Sequence, residues 1–424
     1  MFYVHTIADE SGNQTRFRDS EQARRRPAGQ PKHLRGARPA APPLDTYTGN
    51  RATPSRTAIL DEATGELQNP VDRTVKWQLQ AAARSMLGPT HRLRICHRHR
   101  RPDWLHVEVR EGESWPYYAG LQACGLLWVC PVCAAKIQAV RAGELQDGLG
   151  YWTETGGDVE LATLTIPHGR GDDLHELVEQ LCRAYAKMRA SRAYQEWAHR
   201  WGLAGTVRGT EGTWGPLHGW HPHLHVVQFR TVDHTEASTD PRRADELFGM
   251  WHHAVTRHTT LGAPSRLAFK LQGADRASRY VTKMGTEYSW TTADELVRSH
   301  SKRGRQQSFS PFDLLRREVE GLEGPWRPLF REYAAAFKGR RQLVWSDGLR
   351  ELLGHPDGRT DQEVADSIGA DDAILATITP DEWRRIRDGN HQATVLEVVA
   401  HAGSEGLGFF LGSLMEGADD GEEA

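Results

Sequence analysis

The sequence predicts an α+β protein, with helices packed on a sheet and a small cysteine-rich segment ahead of both. Three observations lead there. Stretches with strand and helix periods interleave from about residue 159 to about residue 346. Two strand-like runs, Leu203 to Trp214 and Trp220 to Arg230, are separated only by Gly215-Pro-Leu-His-Gly219, the link of a hairpin. Four of the five cysteines fall between residues 92 and 137.

Residues 1 to about 75 are rich in Pro, Gly, Arg, Thr and Ala and hold no lasting period, so they read as mostly disordered and basic. A helix is expected from near Thr74. Residues 76–150 hold that helix and the cysteines, spaced Cys96-x27-Cys124-x5-Cys130-x2-Cys133. The Cys-Pro-Val-Cys step puts two thiolates on one tight turn, and four sulfurs complete a closed tetrahedral zinc shell. His97 or His99 is an alternative to Cys96 as the fourth ligand. Cys182 instead falls in an apolar helical stripe and reads as core.

Residues 151–350 form the main predicted domain. Val159 to Pro167 is β-branched and apolar, bounded by glycines and a proline, as a buried strand should be. A helix starting at Asp172 or Asp173 carries Leu174, Leu177, Val178, Leu181, Tyr185 and Met188 on one face, and its pattern continues past Arg192. After the hairpin come a helix near Arg243 to His258, a strand Arg266 to Leu271, and a helix from about Asp275. Residues 299–310 are a basic, polar loop. Helical sequence from Pro311 to Phe337 and a strand Arg341 to Ser346 close the domain. Residues 351–412 read as helical, with Thr360 as a helix cap that suits a helix-turn-helix, and 413–424 as an acidic disordered tail.

The chemistry concentrates in Gly219-Trp-His-Pro-His-Leu-His-Val-Val227. His221, His223 and His225 alternate, so on a strand they share one face while Leu224 and Val226 enter a core. If Trp214 faces Trp220 across the hairpin, Glu211 lies opposite His223 and joins that face; a one-residue slip removes it. One carboxylate and two imidazoles make a mixed oxygen and nitrogen site for Mg²⁺ or Mn²⁺. Tyr280 and Lys283 are three residues apart on the helix that ends near Gly285, and an ammonium beside a phenol eases its ionisation. The pair is a candidate nucleophile with its helper.

Composition narrows the classes. Net charge is -3, with arginine clusters between residues 16 and 101 and an acidic end, an asymmetry that fits a nucleic-acid partner. No apolar run approaches the ~18 residues of a membrane helix, and the N-terminus lacks a secretory pattern, so a cytoplasmic location without membrane partners is expected. There is no phosphate-binding Gly-x4-Gly-Lys-Ser/Thr stretch, hence no sign of an ATP-driven motor.

In order, Ala162 to Pro167 (ATLTIP), Gly219 to Val227 (GWHPHLHVV) and Arg279 to Gly285 (RYVTKMG), preceded by a cysteine cluster ending in CPVC, resemble the rolling-circle plasmid replication initiators of the HUH endonuclease superfamily, Gram-positive and actinobacterial type. SPFDLL at 310–315 and RQLVWS at 341–346 add to it, and the likeness covers about residues 90 to 350. It implies an antiparallel sheet of about five strands flanked by helices. It also implies metal ligands at His223, His225 and Glu211, with His221 flanking them, and a nucleophile at Tyr280 followed by Lys283. The implied reaction nicks one origin strand, single-stranded or extruded, and leaves a 5′-phosphotyrosine and a free 3′-hydroxyl. A host helicase and a DNA polymerase would be the partners.

Arg276 stands where some relatives place a water-activating glutamate, and Tyr288, past Gly285, is the one candidate second tyrosine. The resemblance therefore supports the opening cut better than the closing step. Two other readings share these residues. An HUH transposase or relaxase uses the same chemistry, although relaxases often carry the metal motif after the tyrosine. A zinc-dependent DNA-binding protein without catalysis would leave the histidines and Tyr280 structural.

Overall fold

The computed structural model describes residues 75–112, 115–231, 241–274, 277–278, 308–355, 358–369 and 371–419, with two short strands before them. All belong to one unit, Pro54–Ala424. In chain order the elements are β1 (Ile59–Leu60), β2 (Leu67–Gln68), α1 (Val75–Leu87), β3 (Val107–Arg110), β4 (Tyr117–Ala119), α2 (Pro131–Glu154), β5 (Asp158–Thr165), α3 (Leu174–Ala190), α4 (Arg192–Arg200), β6 (Leu203–Gly215), β7 (Gly219–Arg230), α5 (Pro241–His258), β8 (Phe269–Gln272), α6 (Pro311–Val319), α7 (Trp326–Phe337), β9 (Leu343–Trp345), α8 (Leu349–Leu352), α9 (Asp361–Asp366), β10 (Ile374–Ile378), α10 (Pro380–Asp388) and α11 (Gln392–Asp419).

Five strands form one sheet in the order β8-β5-β7-β6-β9, and every neighbouring pair runs antiparallel. Its centre is the β6–β7 hairpin. Gly219 makes that turn with φ 74, and a Cβ there would lie 2.9 Å from the Arg170 Cα, so a side chain is excluded twice over. One sheet face carries Ala162, Leu164, Leu224 and Val226 and is sealed by α3, α5 and α7. The other carries Leu161, Val207, Val227 and Phe229, covered by Leu145, Leu149 and Trp152 of α2. Because strand side chains alternate, the residues two and four positions further along this second face are polar. They form the candidate site.

The helix starting at Asp173 is shorter than its stripe suggests. Ser191 turns extended (φ -73, ψ 145), ends α3 and caps α4 by accepting from the Tyr194 amide. The apolar pattern continues because both helices pack on the same core. Arg266 to Ala268 forms a 3-10 turn, and only Phe269 onward is strand.

The cysteine-rich segment does not stand apart. Its core joins Cys96, Cys124, Cys130 and Cys133 to Leu79 and Met86 of α1, Phe312 and Leu315 of α6, Phe330 of α7 and Val364 of α9. The region after residue 351, read as helical, also supplies a strand. β10 pairs with β3, which pairs with β4, in a second, three-stranded antiparallel sheet. Thr360 does cap a helix, with a capping box to Glu363, but α9 is only 6 residues long and β10 is the next element. α11 breaks at Gly403 (φ 61, ψ -155) and its second part continues to Asp419, past the expected start of a disordered tail at 413.

Beneath the sheet, Glu160 is buried between two buried arginines. Arg243 donates to one carboxylate oxygen, and Arg230 Nη1 stands 3.4 Å from the other. Arg230 also donates through Nε to the Trp201 carbonyl at 3.2 Å. The network pins β5, β7 and α5 together.

Candidate metal centres

Glu211 and His223 are direct partners across the hairpin, and Trp214 pairs with Trp220, which is the register the aromatic pair suggested. His223 Nε2 is 3.2 Å from Glu211 Oε2, and His225 Nε2 is 3.6 Å from the same oxygen. The three ligand atoms lie within 4.8 Å of one another, at half-buried positions.

Each imidazole is held from behind. The His221 carbonyl lies 3.3 Å from His223 Nδ1; a carbonyl only accepts, so Nδ1 carries the proton and Nε2 offers a lone pair to the site. Thr163, the cross-strand partner of His225 on β5, places Oγ1 3.1 Å from His225 Nδ1. Such rear hydrogen bonds fix the tautomer and ring angle of a metal-binding histidine.

His221 belongs to a different arrangement. Its Nδ1 lies 2.6 Å from Nε2 of His168, whose own Nδ1 lies 3.3 Å from the His218 carbonyl. Burial, with His223 and His168 adding to it, pushes His221 down to about 4, and burial lowers His168 as well. The geometry thus gathers Glu211, His223 and His225 and turns the His221 ring toward His168.

Thr163 and His168 were not among the residues singled out from sequence. The signal for Thr163 was present in the alternation of Thr163 and Thr165 on β5, whose partners are His225 and His223. His168 follows Pro167, beyond the strand, and no period marks it. Lys270 of β8 is also on this sheet face, opposite Thr163, and is exposed.

Tyr280 and Lys283 lie outside the described residues, as do Asp275, Arg276, Tyr288, the basic stretch 299–307 and the arginines before residue 75. The last described residues before Tyr280 are Ala277 and Ser278. Ala277 is fully buried in the core on the second sheet face.

The second centre is the cysteine cluster. Cys96 Sγ is 3.7 Å from Cys130 Sγ and 3.5 Å from Cys133 Sγ, and Cys124 Sγ is 3.6 Å from Cys133 Sγ. These separations are far too long for disulfides. They match the edge of a tetrahedron built on Zn–S bonds of about 2.3 Å, which is about 3.8 Å. The amides of Cys124 and Cys133 and the Gln80 side chain point at cluster sulfurs at 3.4, 3.5 and 3.3 Å. N–H donors of this kind stabilise thiolates. Hydrogen bonds among the four sulfurs pull the Cys133 and Cys130 thiols down and push Cys96 and Cys124 up. Cys96 supplies the fourth sulfur, and neither His97 nor His99 is in the group. His97 takes φ 51, a left-handed conformation that turns the chain away just after Cys96.

The fold and these centres define a mixed α+β protein with antiparallel sheets, flanking helices and a buried four-cysteine cluster. The chain is similar to a protein named Rep from Streptomyces lividans, 28% identical over 334 residues that cover 63% of this chain and 73% of the relative. It is also similar to a protein named neomycin resistance protein from Streptomyces cyanogenus, 34% identical over 179 residues, 37% of this chain and 41% of that one. No family model matches the chain. No solved structure matches it. Among the described residues, no helix is long and apolar enough to cross a membrane.

Proposed function

We propose that this chain is a plasmid replication initiator of the rolling-circle, HUH type, which cuts one origin strand by transesterification onto Tyr280. The observation that carries the reading is the Glu211, His223 and His225 triad on one sheet face, with each imidazole aimed from behind. Similarity to a protein named Rep supports it independently. So does Ala277, which anchors the chain three residues before Tyr280 in the core on that same face.

In this reading the phenolate oxygen of Tyr280 attacks the scissile phosphorus. The bond to the 3′ oxygen breaks, and that oxygen takes a proton to become a free 3′-hydroxyl. The 5′ phosphate remains esterified to Tyr280, so the energy for rejoining is retained. Lys283 favours the phenolate. Mg²⁺ or Mn²⁺ at the triad would supply polarisation of the phosphate. Structural Zn²⁺ fits the four cysteines. The origin strand enters single-stranded or extruded, a host helicase opens the duplex, and a polymerase extends the 3′ end.

The test is incubation with Mn²⁺ and a supercoiled plasmid bearing the chain's own origin. The expected products are open circles with protein joined to a 5′ end. Tyr280→Phe abolishes both and leaves DNA binding in place. Nicking by Tyr280→Phe at the wild-type rate would overturn the assignment of the nucleophile.

A further inference from the structure

β9 is an edge strand, and its outer side borders a cavity of about 580 Å³. Residues 339–348 form one wall, and loops 125–128 and 358–361 form others. The cavity therefore lies between the sheet and the cysteine-rich segment. Its size falls within the roughly 300–1,000 Å³ of ordinary ligand sites.

Register ties this cavity to the metal-binding face. Leu343 pairs with Gly209 and Trp345 with Val207, and the Thr210 amide reaches the Gln342 carbonyl. Leu343 and Trp345 thus share the face of the triad, and Arg341 lies two residues before the start of β9. In an antiparallel edge strand, the residues that do not bond the neighbour turn their N–H and C=O outward. Here those are Leu343 and Trp345, on the cavity side.

The lining is cationic and aromatic. Arg141 is tied to Glu144 and Asp361, Arg340 to Glu179 and Arg350 to Glu144. Arg341 and Arg359 are exposed, and neither forms an ion pair among the described residues. The lining acids are Asp347, Glu351 and Asp361. The Arg350 guanidinium sits 4.5 Å from the centre of the Trp345 ring. Three polar atoms of lining residues are buried without a hydrogen-bond partner: Trp345 Nε1, Arg350 Nη1 and Gln342 Oε1. The exposed guanidiniums of Arg341 and Arg359 suit backbone phosphates, and the Trp345 indole with Arg350 beside it suits the face of a base.

We propose that this cavity holds one nucleotide of a single DNA strand next to the strand segment at the metal-binding face, its phosphates on Arg341 and Arg359 and its base against Trp345 and Arg350. The inference rests on the DNA-cutting reading for its ligand, yet binding here requires no cutting. The seam between the cysteine-rich segment and the sheet then becomes a second place where the strand is gripped. Stacking on an aromatic side chain tolerates any base, and the cation count sets the salt dependence.

The test is fluorescence anisotropy with a dye-labelled oligothymidylate of about 20 nucleotides and, beside it, the strand spanning the mapped nick, at several KCl concentrations. Arg341→Ala is expected to weaken binding about tenfold and to reduce the slope of log K against log salt by about 0.7. Trp345→Phe keeps an aromatic ring in the wall, smaller and without the indole N–H, and is expected to weaken binding several-fold with little change in slope. Arg192→Ala, an exposed arginine on α4, serves as the charge-matched control and binds as wild type. Wild-type affinity and slope in both Arg341→Ala and Trp345→Phe overturn the proposal, as does a wild-type protein that binds neither probe. Cutting together with unchanged binding by the variants sinks this inference alone. Weakened binding by the variants, in a protein that never cuts DNA, sinks the cutting reading alone.

Discussion

Thr163 and His225 are cross-strand partners on β5 and β7, with the threonine hydroxyl 3.1 Å from the imidazole Nδ1. The hydroxyl and Nδ1 share a hydrogen bond, while Nε2 faces Glu211 at 3.6 Å. Thr163→Val keeps the shape and removes that partner. Mn²⁺ affinity, measured by calorimetry, is expected to fall about tenfold, in line with the loss of other rear partners of metal-binding histidines. The melting temperature should barely move. An unchanged affinity means that Thr163 does not position the ring.

The three histidines are expected to separate in a metal-binding assay. His223→Ala removes a ring 3.2 Å from Glu211 and should abolish the electron-spin signature of bound Mn²⁺. His221→Ala removes a ring that is engaged with His168 and should retain that signature. Equal loss in both variants would place His221 among the ligands.

Glu211→Gln keeps size and register but removes the charge that two imidazoles share. A neutral amide oxygen is a weaker ligand for a hard cation than a charged carboxylate. Mn²⁺ binding should weaken by at least tenfold, with no loss of folding in a denaturant titration. Retained affinity would show that the carboxylate is not a ligand.

Zinc removal should damage more than the cysteine-rich segment. The four cysteines share a core with α1, α6, α7 and α9, so the cluster closes contacts between distant parts of the chain. Elemental analysis is expected to find one zinc per chain, and Cys124→Ser to lower it. Chelation should lower the melting temperature and expose the Phe312 and Phe330 surroundings to proteolysis, because binding energy at such a site is folding energy. A zinc-free protein with an unchanged melting curve would argue against a structural ion.

Glu160→Gln leaves the buried guanidiniums of Arg230 and Arg243 without their shared counter-charge. Breaking a buried pair by removing one partner costs about 3–5 kcal/mol. Urea denaturation should show a loss of that order, and Mn²⁺ affinity should be preserved, since Glu160 is on the opposite sheet face from the triad.

Much of the site was legible because its signals are local. Alternation in His221 to His225 assigns all three to one strand face, whatever the rest of the chain does. The short link from Gly215 to Gly219 forces an antiparallel hairpin, and the Trp214 and Trp220 pair suggests its register, which β6 and β7 adopt. Thr163 was missed because its role depends on how β5 lies beside β7, and no turn fixes that pairing.

The sequence by itself determined which residue types are available to a metal, on which strand face, and that four sulfurs are spaced for a tetrahedral shell. Tertiary structure alone decided which of them meet. It turned His221 toward His168, chose Cys96 over His97 and His99, and brought Ile374 to Ile378 alongside Val107 to Arg110. The physical reason is range. A side chain's direction along a strand follows from bonds to its neighbours, whereas a contact between strands depends on the packing of every helix that holds them in place.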